Sequence, residues 1–164
     1  MQVVLNKLQI DQKINRLAHQ IIENSYGERK VYIGGICGNG KLLADLLGKI
    51  IVNNSDLEIE VFEITMHKDQ PLEFPIEISI NNSLLRDAFI VLVDDVLNSG
   101  KTMQYALVKL LEQSVKAIKT VSLVDRRHRR YPIKADFVGI TLSTTLQERV
   151  EMDLNQDDYF AYLV

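Results

Sequence analysis

Residues 89–103 read FIVLVDDVLNSGKTM, and this stretch decides the fold. Ile90, Val91, Leu92 and Val93 form a run of branched apolar residues, the pattern of a strand buried on both faces. The run ends in two adjacent carboxylates, Asp94 and Asp95. A polar turn follows through Asn98, Ser99 and Gly100, and Lys101 and Thr102 open a segment of helical period. A helix start offers unpaired N–H groups and a partial positive charge, so it attracts anions. Ser99 and Thr102 add hydroxyl donors, and Gly100 lets the backbone approach an anion closely. The two acids stand just upstream, placed to hold sugar hydroxyls or a Mg²⁺ ion. A phosphate and a diol at this separation fit a ribose 5-phosphate.

The string from Val91 to Thr102 resembles the phosphoribosyl pyrophosphate (PRPP) signature of type I phosphoribosyltransferases. Ser99 stands for the usual threonine and keeps its hydroxyl. The resemblance implies an α/β fold: an open, mainly parallel sheet with helices on both faces and a small hood. It implies that Asp94 and Asp95 hold the ribose hydroxyls or Mg²⁺. Val96, Leu97, Asn98, Ser99, Gly100, Lys101 and Thr102 are then the 5-phosphate turn.

The rest of the chain is consistent with that expectation. At 164 residues with 46% hydrophobic content, one domain spanning 1–164 is the simplest reading. A net charge of −3 implies no global attraction to nucleic acid. The single cysteine, Cys37, excludes an internal disulfide. Neither a signal peptide nor a run of membrane-spanning length is apparent, so a cytoplasmic protein with no membrane partner is expected.

Apolar spacing predicts helices over 8–22, 41–51 and 103–111. Strands are expected at 31–33, 57–64, 76–80 and 121–124, with a last one near 159–164. Asp11 stands near the start of the first helix. Alternating strands and helices imply an open parallel sheet, with ligands beyond the carboxyl ends of its strands.

A second glycine loop spans Gly34 to Gly40. With Lys41 it approaches a P-loop, but Leu42 stands where a Mg²⁺-binding hydroxyl belongs. A nucleotide triphosphatase is therefore the lesser alternative. A dinucleotide fingerprint fails too, because Leu43 occupies the place of its third glycine. A phosphoribosyltransferase needs two phosphate sites, and Gly35, Ile36, Cys37, Gly38, Asn39 and Gly40 are the expected pyrophosphate cradle.

Asp125 to Gly139 reads DRRHRRYPIKADFVG. It is similar to the base-binding hood of the bifunctional pyrimidine-operon attenuation regulator/uracil phosphoribosyltransferase subfamily. That likeness implies uracil as the first-choice base and a purine as the second. Phe137 would stack on the base and the Val138 backbone would read its edge. Arg126, Arg127, His128, Arg129 and Arg130 become candidate contacts for RNA or phosphate. A homodimer is the expected assembly. A nucleotide-sensing, RNA-binding regulator with little catalysis is the competing reading.

The chain also departs from the subfamily pattern. Gly38 and Asn39 stand where a threonine and an arginine are usual, so Lys41 is the nearest candidate for the missing charge. The lid segment between His67 and Phe89 is short. Arg127 replaces a glycine and Arg130 an acid. Asn98 stands where purine-salvage relatives carry an aspartate that acts as a base.

Overall fold

The computed structural model describes residues 1–164. Its elements run β1 (Gln2–Leu5), α1 (Lys7–Asn24), β2 (Lys30–Ile36), α2 (Asn39–Asn54), β3 (Glu58–Thr65) and β4 (Glu77–Ile78). They continue with β5 (Phe89–Leu97), α3 (Lys101–Leu110), β6 (Ala117–Asp125), β7 (Phe137–Thr141), β8 (Val150–Glu151) and β9 (Ala161–Leu163). The main sheet has the order β4-β3-β2-β5-β6-β7. Every pairing in it is parallel except that of the edge strand β4.

β5 is central, which explains its unbroken apolar run. Phe89, Val91 and Val93 face a core shared with α1 and α2, whereas Ile90 and Leu92 face a second core completed by Met103, Ala106 and Leu110 of α3. Each residue from Phe89 to Val93 thus buries its side chain, and burial of one Leu or Ile contributes about 1.5–3 kcal/mol. Helices cover both faces, as the sequence implies.

α1 begins at a reciprocal cap. The Asn6 side chain accepts from the Gln9 N–H at 2.9 Å, and the Gln9 side chain accepts from the Asn6 N–H at 2.9 Å. Asp11 sits within the helix instead, paired with Lys7 at 2.8 Å.

Three elements differ from the sequence reading. β2 runs to Ile36 and α2 starts at Asn39, so Gly34, Gly35 and Ile36 belong to a strand and the second turn shrinks to Cys37 and Gly38. Residues 76–80 yield only the two-residue β4, followed by a 3-10 turn at Asn82–Leu85. The last strand does not extend the main sheet. β9 pairs antiparallel with β1 and β8, with Gln2 opposite Leu163 and Val150 opposite Leu163. This small sheet of both chain ends is the hood, docked on the α1/α2 core through Val150, Met152, Leu154, Tyr159 and Ala161, whereas the expected hood stretch 125–139 joins β6 to β7 of the main sheet.

Candidate active site

The chain passes from β2 to β3 on one side of the sheet, and β5 lies on the other side of β2. β2 and β5 therefore flank a switch point, and the crevice beyond their carboxyl ends is the natural ligand position. Both turns read from the sequence open there: Cys37–Gly38 after β2, and Asn98–Gly100 after β5.

The β5–α3 turn is shaped as an anion cradle. Gly100 has φ +84, and a Cβ there would lie 2.6 Å from Ile133 Cγ2, so backbone conformation and packing both require glycine. The Ser99 carbonyl accepts from Arg130 N at 2.8 Å and from Tyr131 N at 3.1 Å, which braces the turn from behind. Ser99 Oγ accepts from Lys101 N at 3.2 Å. Asp94 and residues 96–103 line a cavity of about 50 Å³, the size of a small anion. Val96 and Leu97 are strand residues, and Leu97 turns its side chain into the core. Lys101 is half-buried and reaches away from the turn, donating to the Asp69 carbonyl at 3.0 Å. That contact tethers the segment after β3, where His67 also stacks on Phe74 with centroids 5.4 Å apart. A surface cavity of about 570 Å³ beside α2 and β3 touches neither turn.

The acid pair sits between the turns. Asp94 is buried, and its Oδ1 accepts from Asp95 N at 2.9 Å. Burial first, then the Asp95 charge, pushes its carboxyl well above the ordinary range, while Lys68 pulls the other way. Gly40 leaves the space this carboxylate needs, since a Cβ on it would stand 3.0 Å from Asp94 Oδ1. Asp95 is half-buried. Its Oδ1 accepts from Val96 N at 2.8 Å and its Oδ2 from Asn39 Nδ2 at 3.1 Å. Each carboxylate oxygen has two acceptor sites, so each keeps one for a ligand. No set of three acidic, histidine or cysteine side chains forms a metal cage. Two carboxylates suit a Mg²⁺ ion that arrives on substrate phosphates.

The β2–α2 turn differs in kind. Gly38 has φ +87 and ψ −135, a conformation open essentially to glycine alone. Gly35 and Ile36 are buried strand residues and line no cradle. The Gly35 hydrogen faces α2, where a Cβ would lie 2.6 Å from the Gly40 carbonyl. Cys37 donates its backbone N–H to the Ile64 carbonyl at 2.9 Å. Lys41 binds both oxygens of Asp45 at 2.9 Å, so it does not replace the missing arginine.

The structure also redistributes the basic segment. Arg126 is only 6% exposed. Its guanidinium donates to Asn98 Oδ1 at 2.8 Å, to Thr144 Oγ1 at 3.0 Å, to the Thr145 carbonyl at 3.2 Å and to the Glu148 carbonyl. Burial lowers its pKa, yet an arginine stays charged. Arg126 is thus an internal brace and no RNA contact. His128 contacts the Thr144 carbonyl at 2.8 Å, and Arg129 pairs with Asp125 at 2.6 Å. Only Arg127 and Arg130 are both exposed and free of side-chain partners. Arg127 has φ +61, which explains the glycine usual at this position.

Phe137 and Val138, the expected base contacts, lie at the start of the outermost main-sheet strand. They begin β7, and strand alternation sends Phe137 against the α1-side core and Val138 against the α3-side core. The Val138 carbonyl already accepts from Arg16 at 3.2 Å, beside Gly139 at 2.6 Å. Both side chains are only part-buried, and the Val138 carbonyl keeps a second acceptor site. The sequence reading missed Asn39 as a contact of Asp95 and Arg126 as the support of Asn98. Neither contact has a local signal, because the partners lie 56 and 28 residues away.

Residues 3–153 match the phosphoribosyl transferase domain. The chain belongs to the phosphoribosyltransferase family. This phosphoribosyltransferase is 31% identical to the Bifunctional protein PyrR of Bacillus mycoides, over 95% of its own length and 92% of the relative's. It is similar in fold to hypoxanthine phosphoribosyltransferases. That of Trypanosoma cruzi superposes with a TM-score of 0.76 at 16% identity, over 98% of this chain and 95% of the other. That of Staphylococcus aureus gives 0.73 at 20% identity, over 89% and 80%. Family membership removes the triphosphatase alternative. No helix is long and apolar enough to cross a membrane.

Proposed function

We propose that this phosphoribosyltransferase moves ribose 5-phosphate from Mg²⁺-PRPP to a ring nitrogen of uracil and releases pyrophosphate. The observation that carries the reading is the acid pair set between two turns at the sheet's switch point. The 5-phosphate binds the N–H groups at the start of α3 and the hydroxyls of Ser99 and Thr102. Asp94 and Asp95 face the ribose hydroxyls and the substrate's Mg²⁺. As the C1′–oxygen bond to pyrophosphate breaks, positive charge builds on the ribose, and carboxylates already in place stabilise it without reorganising. The C1′–nitrogen bond then forms, and the ring proton leaves to solvent.

Uracil rests on the likeness to PyrR and to the uracil phosphoribosyltransferase subfamily. Asn98 supports it, because an amide cannot accept the proton that an aspartate would, and its oxygen is held by Arg126 at 2.8 Å. Steady-state turnover with PRPP and Mg²⁺ against uracil, hypoxanthine and guanine tests the choice. Faster turnover of either purine overturns it.

A second reading follows from Arg127 and Arg130. These two exposed cations fit a nucleotide-sensing RNA-binding regulator, formed as a homodimer, whose catalysis is slow. Salt-dependent RNA binding that is lost on removing both arginines, with slow uracil turnover, would favour it.

A further inference from the structure

The Asn39 carboxamide occupies the place of an arginine in related turns, yet it does not act as a weaker phosphate ligand. Both of its polar atoms are spent inside the protein. Nδ2 donates to Asp95 Oδ2 at 3.1 Å and to the Met152 carbonyl at 2.8 Å. Oδ1 accepts from Leu154 N at 3.1 Å. The carboxamide therefore uses both N–H groups and one lone pair on three partners. Those partners come from two separate parts of the chain. Asp95 ends β5 in the middle of the main sheet, whereas Met152 and Leu154 follow β8 in the hood. Met152 and Leu154 themselves are buried against the α1/α2 core, so the hood cannot take up this contact in an arbitrary position.

We infer that Asn39 is a positioning residue that couples the hood to the acid pair. It fixes the Asp95 carboxylate by one oxygen and holds the 152–154 backbone by a donor and an acceptor at once. The start of α2, the end of β5 and the hood then move as one unit. Ligand engaged by Asp95 is felt at Leu154 through a single side chain. An arginine has five donors and no acceptor, so it cannot receive the Leu154 N–H. The substitution that fills the subfamily pattern therefore breaks the link here, and Asn39→Arg slows the enzyme.

The inference rests on the proposed binding of Mg²⁺-PRPP at Asp95. The experiment follows hydrogen exchange at the Leu154 amide in the full chain, with and without Mg²⁺-PRPP, and records binding calorimetrically in the same samples. In the wild type, bound Mg²⁺-PRPP slows exchange at Leu154 by about fivefold or more. In Asn39→Ala, exchange at Leu154 is fast and does not respond to ligand. The KM for PRPP rises by about tenfold to a hundredfold, the usual cost of losing a residue that orients a ligand-holding carboxylate. The KM for the base is unchanged. Asn39→Asp keeps the acceptor for Leu154 but loses both donors, so protection persists without ligand and its response to ligand disappears. It serves as the test variant if Asn39→Ala does not fold. Unchanged Leu154 exchange on saturating the wild type overturns the inference alone, as does an unaltered KM for PRPP in Asn39→Ala. Absence of any Mg²⁺-PRPP binding to the wild type overturns the reading of the site and the inference with it.

Discussion

The two turns beside β2 and β5 look alike in sequence and differ in what their atoms are free to do. After β5, the side chains of Asn98 and Lys101 are drawn outward to Arg126 and Asp69, and the Ser99 carbonyl is braced from behind. What remains facing the crevice is a helix start and two hydroxyls. After β2, the Asn39 side chain is turned inward onto Asp95 and the hood, and Lys41 is held by Asp45. The first turn is open for a phosphate, and the second is partly closed by the protein itself. A glycine-rich turn before a helix is therefore an incomplete specification of a phosphate site. The decisive quantity is how many of its donors the fold has already used.

The largest expected effect comes from the acids both turns share. The double variant Asp94→Asn, Asp95→Asn loses about a hundredfold to a thousandfold in kcat, measured by pyrophosphate release, because it removes charge aimed at the transition state. Circular dichroism and thermal melting should show the fold retained. A loss below tenfold would place the chemistry elsewhere and erase the contrast between the turns.

Gly100→Ala strains the open turn next. Its φ of +84 costs an alanine roughly 1–2 kcal/mol, and the approach to Ile133 adds to this. Chemical denaturation should record the loss, and phosphate affinity should fall with it. In the closed turn, Gly38 has open space around its Cβ position. Gly38→Ala should therefore be destabilised by backbone strain without a packing clash. Equal damage from added bulk at both sites would blur the comparison.

Asp94→Asn alone should raise the melting temperature at neutral pH while lowering turnover. Its carboxyl is raised by burial, so between the ordinary and the raised value the folded state holds a proton that the unfolded chain has released, and above both the buried charge is a penalty. Wild-type stability relative to Asp94→Asn is thus greatest in acid. It declines as pH climbs above about 3.9, the ordinary aspartate value, and the penalty is complete once pH passes the raised folded value. Denaturation curves of the two proteins across pH check the sign. A wild type that gains on the variant with rising pH would mean that Asp94 is held as a stabilised anion.

The smallest effect is at Arg127. Relieving its φ of +61 by Arg127→Gly should gain about 1 kcal/mol, seen as a few degrees in melting temperature. Turnover should be unaffected, since the residue faces solvent behind the brace of the open turn.

Much of this was legible because it is local. The run from Ile90 to Val93 needs only its own pattern to be read as a central strand, and α1 and α2 declare themselves by apolar spacing. The acid pair and the 98–102 turn adjoin one another in the chain, so their placement followed from one strand-to-helix junction. The pairing that builds the hood was not legible, because β1 and β9 are four and three residues long and pair across the whole sequence. Arg126 reads as one member of a solvated basic run, and only the fold brings the carbonyls of Thr145 and Glu148 around it. Phe137 and Val138 matched a string, but the face each side chain takes is set by β7 lying between two cores. The link from Asn39 to Leu154 spans 115 residues and leaves no trace in local sequence.

The central claim is that Asp94, Asp95 and the β5–α3 turn together bind Mg²⁺-PRPP. Calorimetric titration of Mg²⁺-PRPP into the wild type and into the Asp94→Asn, Asp95→Asn variant tests it most directly. The account predicts saturable binding to the wild type and a loss of about tenfold or more in the variant, the scale expected when charged hydrogen-bond partners worth about 1.5–3 kcal/mol are removed. Equal affinity in the two proteins would contradict it.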